Sequence, residues 1–209
     1  DLENIFEELL EYWKISLPKL KFEKEKVLND LIEFTNQRIV SHLDELSISK
    51  DLIKATCFID SSSEKKIMNI LDLKNRINTI NQLKGKPDFS EIQKVISRVS
   101  KLAESGNLKT TIFSCKNYVN SDLFEKECEN KVFEFIKELE GIIKLPNWNY
   151  SQLFKLFETN SKNLDELFDN ERGVLIMAEN PEIRNNRLNL LGLVRNYSLK
   201  IADFTLFNS

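Results

Sequence analysis

Apolar residues recur at helical spacing along almost the whole chain, so its elements can be placed from pattern alone. Leu2, Ile5, Phe6, Leu9, Leu10 and Trp13 mark a first helix over residues 1–15, which Pro18 ends. A longer helix from about Phe22 to Leu46 carries Val27, Leu31, Phe34 and Ile39, and a short amphipathic segment follows from Ser49 to Phe58. Ser61-Ser62-Ser63 with Glu64 reads as a loop into a capped helix that reaches about Leu83 and buries Ile67, Ile70, Leu71, Ile77 and Ile80. Gly85-Lys86-Pro87 breaks it. Asp88 or Ser90 caps the next helix, whose apolar stripe is Ile92, Val95, Ile96, Val99 and Leu102. Residues 105–119 are low in pattern and fit a loop or a short helix. From Ser121 and Asp122 a further helix buries Phe124, Val132, Phe133, Ile136 and Leu139, with Glu125, Glu129, Glu134 and Glu138 on its other, charged face. Gly141 and Pro146 mark the exit, Trp148 and Tyr150 form a turn, and Leu153, Phe154, Leu156 and Phe157 resume the helical spacing.

The fullest signal lies at the C-terminal end. Asn180 supplies a cap, Pro181 fits the first helical position where no amide donor is needed, and Glu182 favours the positive helix end. The spacing predicts a helix from there almost to Ser209. Ile183, Leu190, Val194, Tyr197 and Ile201 share one arc, widened by Leu188, Leu191 and Ala202, so more than half the circumference is expected to be buried. Asn185, Asn189, Gly192, Asn196 and Asp203 form the other side, polar but nearly uncharged. A face of asparagines with a glycine points to close approach by something, the alternative being a tolerant surface with no partner. Before it, Val174 to Met177 make a hydrophobic, strand-like run. The fold class expected is all-α, a multi-helix bundle, with a helical segment over residues 1–60 and a helical domain over 61–209.

Composition narrows the class. The 209 residues carry a net charge of −3. Residues 64–101 hold nine Lys/Arg against four Asp/Glu, a local +5, and the rest carries −8. That split suits a polyanion on one side of the molecule. No apolar run approaches the roughly 20 residues needed to span a bilayer, and no signal-peptide layout is present. Cys57, Cys115 and Cys128 are an odd set without a close pair, which predicts reduced thiols in a cytoplasmic protein. One histidine and no CxxC leave no tetrahedral ligand set, so no metal is expected. Asp1 opens in mid-pattern without methionine, so the natural chain is expected to extend upstream.

Candidate chemistry is that of binding. His42 stands alone, with no nucleophile or carboxylate arranged around it by sequence, so a surface or packing role is expected. No phosphate-cradling glycine motif occurs, and adjacent acidic pairs such as Asp44-Glu45 and Asp165-Glu166 point to different helix faces. Lys94, Arg98 and Lys101 sit at i, i+4 and i+7 opposite an apolar stripe. Three like charges in one row cost an isolated helix about a few tenths of a kcal/mol, so a polyanion is one explanation and a solvated face the other. Arg76 belongs to the same basic segment, and Arg184, Arg187 and Arg195 lie in or beside the apolar arc of the closing helix. For Arg187 a buried structural ion pair is the competing reading. Trp148, Tyr150 and their neighbours could stack on unpaired bases or fill the core.

The run M-A-E-N-P-E-I-R-N-N-R-L-N-L-L (Met177 to Leu191), followed by L-V-R and I-A-D-F, resembles the C-terminal end of the β subunit of bacterial-type glycyl-tRNA synthetase. That end belongs to the anticodon-binding class named for a D-A-L-R signature, here Pro181-Glu182-Ile183-Arg184. Phe34 with Arg38, Asp51 to Ala55, and Arg98-Val99-Ser100 resemble further family pieces in the same order, and Glu171 to Gly173 looks like a short insertion after Phe168-Asp169-Asn170. The resemblance implies a DALR-type anticodon-binding domain at the C-terminal end. It would hold tRNA(Gly), with the α subunit as partner and with no membrane and no DNA. ATP and Mg would be used by the α subunit and no cofactor by this stretch, which would be non-catalytic in itself. Arg76, Lys94, Arg98 and Lys101 are then expected on the RNA backbone, with Arg184, Arg187 and Arg195 near the closing helix, the two rows shaping one concave positive face. An arginyl-tRNA synthetase-type anticodon domain and a helical scaffold for subunit assembly remain as alternatives.

Overall fold

A computed structural model describes residues 2–57 and 69–207. Among the described residues eight α-helices follow one another: α1 (Leu2–Ser16), α2 (Lys24–Glu45), α3 (Lys50–Cys57), α4 (Ile70–Lys84), α5 (Phe89–Ala103), α6 (Glu127–Ile143), α7 (Tyr150–Glu166) and α8 (Pro181–Leu199). Short 3-10 turns at Ser121–Leu123 and Phe204–Leu206 complete the set, and the described residues contain no strand. The Val174–Met177 run is therefore not a strand: the Val174 amide donates to the Leu167 carbonyl at 3.0 Å, Ile176 is buried, and Leu175 and Met177 face outward. The Ser61–Glu64 loop and Ile67 lie outside the described residues.

Side-chain caps decide where several helices begin. Asn69 accepts from the Asp72 amide and starts α4, so Ile70 and Leu71 face solvent while Leu73, Ile77, Ile80 and Leu83 carry the core contact. Asn149 and Gln152 each accept from the other's amide, a reciprocal box that starts α7. Asn180 accepts from the Glu182 amide at 2.9 Å ahead of Pro181. The segment after Ser121 begins as a 3-10 turn, and α6 starts only at Glu127. There the Glu129 carboxylate turns back to accept from the amides of Glu125 and Lys126, at 2.8 and 3.1 Å.

α8 is the axis of the main core. Nearly every residue from Asn186 to Ser198 is buried, with α5 packed along it, the α6–α7 pair beside it and α7 against α5. The helix stops at Leu199, short of the expected extension toward Ser209. Ile201, Ala202, Phe204 and Phe207 keep an apolar spacing but fold back, because Asp203 caps the 3-10 turn through Thr205 and its amide donates to the Ala55 carbonyl at 2.8 Å. Phe204 and Phe207 thereby join Phe89 and Phe154 in one aromatic cluster, with Phe89 and Phe154 stacked at 6.0 Å. α3 docks on this closing segment and on α4, so residues 50–57 belong with the later helices. A second, small cluster of Leu10, Leu28 and Ile32 holds α1 to the first half of α2. The two clusters part inside α2, between Ile32 and Ile39.

Candidate nucleic-acid interface

α5 is built as a two-faced helix. Ile92, Ile96, Val99 and Ala103 are buried on one side, and Lys94, Arg98 and Lys101 are exposed on the other. Neither lysine meets a carboxylate within salt-bridge range among the described residues. Arg98 stands over an aromatic ring, its Cζ 4.2 Å from the centre of Phe168. The contact is possible because α7 ends at Glu166 and Leu167 is buried, which turns Phe168 back toward α5.

Around that pair lies a cavity of about 540 Å³ lined by Arg98, Lys162, Asp165, Glu166, Phe168, Asp169, Asn170 and Arg172. Two of its carboxylates are already engaged. Glu166 accepts from Lys131 at 2.7 Å. Asp169 accepts from the Arg172 and Glu171 amides at 2.9 and 3.0 Å, bonds that pull its carboxyl below the usual range. Gly173 closes this turn, since a Cβ there would stand 2.5 Å from the carbonyl oxygens of Asp169 and Leu167. The pocket thus brings together Arg98, Lys162 and Arg172 from three elements, α5, α7 and the turn after it, beside three carboxylates, and Arg172 lies 3.6 Å from Asp169. Lys162 and Arg172 were not singled out by sequence. Neither belongs to a periodic row, and only the turn after Phe168 hinted at them.

The other four residues expected on RNA meet groups of the chain itself. Arg76 donates to Asp72 at 2.8 Å and to the Thr56 carbonyl at 2.6 Å, and Asp72 also accepts from the Tyr150 hydroxyl, so Arg76 clasps α3, α4 and α7 together. Arg184 is half-buried with Nη1 3.4 Å from the Ala178 carbonyl. Arg187 is 3% exposed in its side chain, and Glu129 beside it is fully buried. It donates to Glu129 at 2.9 Å, to Glu125 at 2.6 Å and to the Leu175 carbonyl at 2.9 Å. Burial opposes the charge, but the bonds to Glu129 and Glu125 outweigh it and raise the guanidinium pKa. Glu129 is accordingly not on a solvated face, as its helical position had suggested. Arg195 donates to the Leu108 carbonyl at 2.7 Å and to Asn196, and burial lowers its pKa. The α8 arginines are thus occupied by the fold to different degrees, Arg187 most and Arg184 least.

The asparagine face of α8 does meet a close neighbour, and it is the chain itself. Residues 104–120 run over it as a strap. Asn186 exchanges two bonds with the Asn120 backbone at 2.7 and 2.9 Å, Asn189 donates to Tyr118, and Asn196 donates to the carbonyls of Lys109 and Ile112 at 2.8 and 2.7 Å. The Tyr197 hydroxyl donates to Phe113. Gly192 lets the strap descend, since a Cβ there would come within 3.0 Å of Leu108. His42 is exposed, its Nδ1 3.5 Å from Glu45.

No protein-family model matches the chain. It is similar to the glycine–tRNA ligase beta subunit of Picosynechococcus sp., with 31% identity over 186 residues, 87% of this chain and 26% of that protein. The Gloeothece citriformis beta subunit is 30% identical over 187 residues, again 87% of this chain and 26% of that protein. The Clostridioides difficile beta subunit is 25% identical over 199 residues, 94% of this chain and 26% of that protein. The chain spans about a quarter of the length of these curated relatives. Over most of its 209 residues the chain is thus similar to a stretch about a quarter as long as each of these glycine–tRNA ligase beta subunits.

Proposed function

We propose that the chain is the tRNA-holding C-terminal part of a glycine–tRNA ligase β subunit and grips tRNA(Gly), at the anticodon arm, through the exposed side of α5. On this reading Lys94, Arg98 and Lys101 neutralise phosphates and supply salt-dependent affinity. Arg98, held over the Phe168 ring, offers a planar guanidinium against which an unpaired base can stack. Glycylation with ATP and Mg falls to an α subunit, and this stretch contributes position. The observation that carries the reading is the exposed row itself: three cations on one helix face, with no carboxylate close to either lysine among the described residues and an aromatic ring beneath Arg98 at its centre.

The test is a titration with tRNA(Gly) and an unrelated tRNA at several salt concentrations. Each of Lys94→Ala, Arg98→Ala and Lys101→Ala is expected to weaken binding and to flatten the slope of log K against log salt by about 0.7–0.9. Lys14→Ala, on the far hairpin, should leave the slope unchanged. A tRNA affinity indifferent to all three α5 changes would refute the reading and leave an assembly scaffold in its place.

A further inference from the structure

The α1–α2 hairpin uses only half of the apolar surface its sequence provides. At 100° per residue Phe6 and Leu10 occupy one flank of the α1 stripe and pack on Leu28 and Ile32. Ile5, Leu9, Tyr12 and Trp13 occupy the adjoining flank and stand 51%, 47%, 65% and 46% exposed. Ile15, in the last turn of α1, and Leu17, just past its end, extend the patch and are open to solvent as well. A contiguous patch of two aromatics and several aliphatics is not an ordinary solvated face, and it marks a surface that another apolar surface covers.

The charges of α1 sit mostly away from this flank: at 100° per residue Glu3, Glu7 and Glu11 lie on the other side of the helix, and Glu11 is held by Lys24 at 2.7 Å. The flank itself offers no row of cations for phosphates and suits another apolar protein surface. The relatives say where such a surface is available, because about three-quarters of each beta subunit lies outside the stretch matched here. We infer that the open flank of α1 is the face by which this helical unit docks onto the remaining part of a β-subunit polypeptide. The inference rests on the likeness to beta subunits and on the apolar face, and it is independent of the tRNA reading.

Amide hydrogen exchange on the natural-length polypeptide, beside the 209-residue chain, tests it. Residues 5–17 should exchange at least about tenfold more slowly in the natural-length polypeptide, and Tyr12→Arg or Leu9→Arg should abolish the difference without changing the helix content of the 209-residue chain. Equal exchange in both, or protection that survives Tyr12→Arg, overturns the proposal. So does protection that appears in the 209-residue chain only as its concentration rises, which would mean a second copy covers the face. Protection that appears only on adding an α subunit would assign the face to that partner instead and equally overturn it. tRNA affinity is read separately, so the two readings can fail apart.

Discussion

Arg187 keeps its charge inside the molecule because Glu129 cannot be left there alone. The Glu129 carboxylate accepts from two amides at the start of α6 and still needs a cation, and Arg187 is the one that reaches it. Removing one partner of a buried pair strands the other, so Arg187→Met is expected to cost about 3–5 kcal/mol, read from the urea midpoint. Glu129→Gln keeps an acceptor for the amides and should cost less. The thiols make a second case at this scale. Burial pushes Cys57 and Cys115 up to about 11, so both stay protonated in the fold at neutral pH. Iodoacetamide at pH 8 should label neither until the protein is unfolded. Because the folded state holds these protons longer than the unfolded chain, the associated stability is full below the ordinary thiol pKa. It is lost as pH rises from about 9 to about 11, which an alkaline denaturation series would show. Free, reduced thiols follow from the odd, unpaired set in the sequence. The Arg187 alternative was legible too, as an arginine inside an apolar arc. Its acidic partner was not, because a helical wheel assigns Glu129 to the charged side of α6 without knowing that α8 lies across it.

At the level of elements, α8 works as a template for the strap. Asparagine side chains imitate peptide groups, so a row of them binds main chain as a neighbouring strand would. Asn196 satisfies two carbonyls at once, and Asn196→Ala is expected to cost about 1–3 kcal/mol and to open residues 104–120 to protease. Gly192→Ala should act in the same direction more mildly, by about 1 kcal/mol, since Leu108 has to yield to the added methyl. The sequence showed a face that something approaches closely. It could not show that the visitor is residues 104–120, since a pattern names the polar side of a helix and not what covers it. The overshoot of α8 toward Ser209 has a similar origin: Ile201, Ala202 and Phe204 hold to helical spacing, and the decisive interactions are Asp203 with Thr205 and with Ala55, far away in sequence.

Across the whole molecule, the all-α class was readable from apolar period alone, and so were the approximate bounds of most helices. The uneven division of burial was not. α1 has a wide apolar stripe like any core helix, yet only Leu10 is buried in it. With so small a cluster, the hairpin of the 209-residue chain should open before the main core. Hydrogen exchange should therefore find residues 2–32 the least protected helical region and α8 the most. The order of the elements has one more consequence, for the chain as it is made. α5 and α6 lean on α8, and α3 is fastened by the segment that ends at Phe207. A nascent polypeptide that has not yet delivered residues 181–207 holds α5, α6 and α7 against one another but lacks the helix on which α5 and α6 close. Ribosomal pausing upstream of Pro181 would hold α5 with its greasy side bare, the stage at which a chaperone has most to protect.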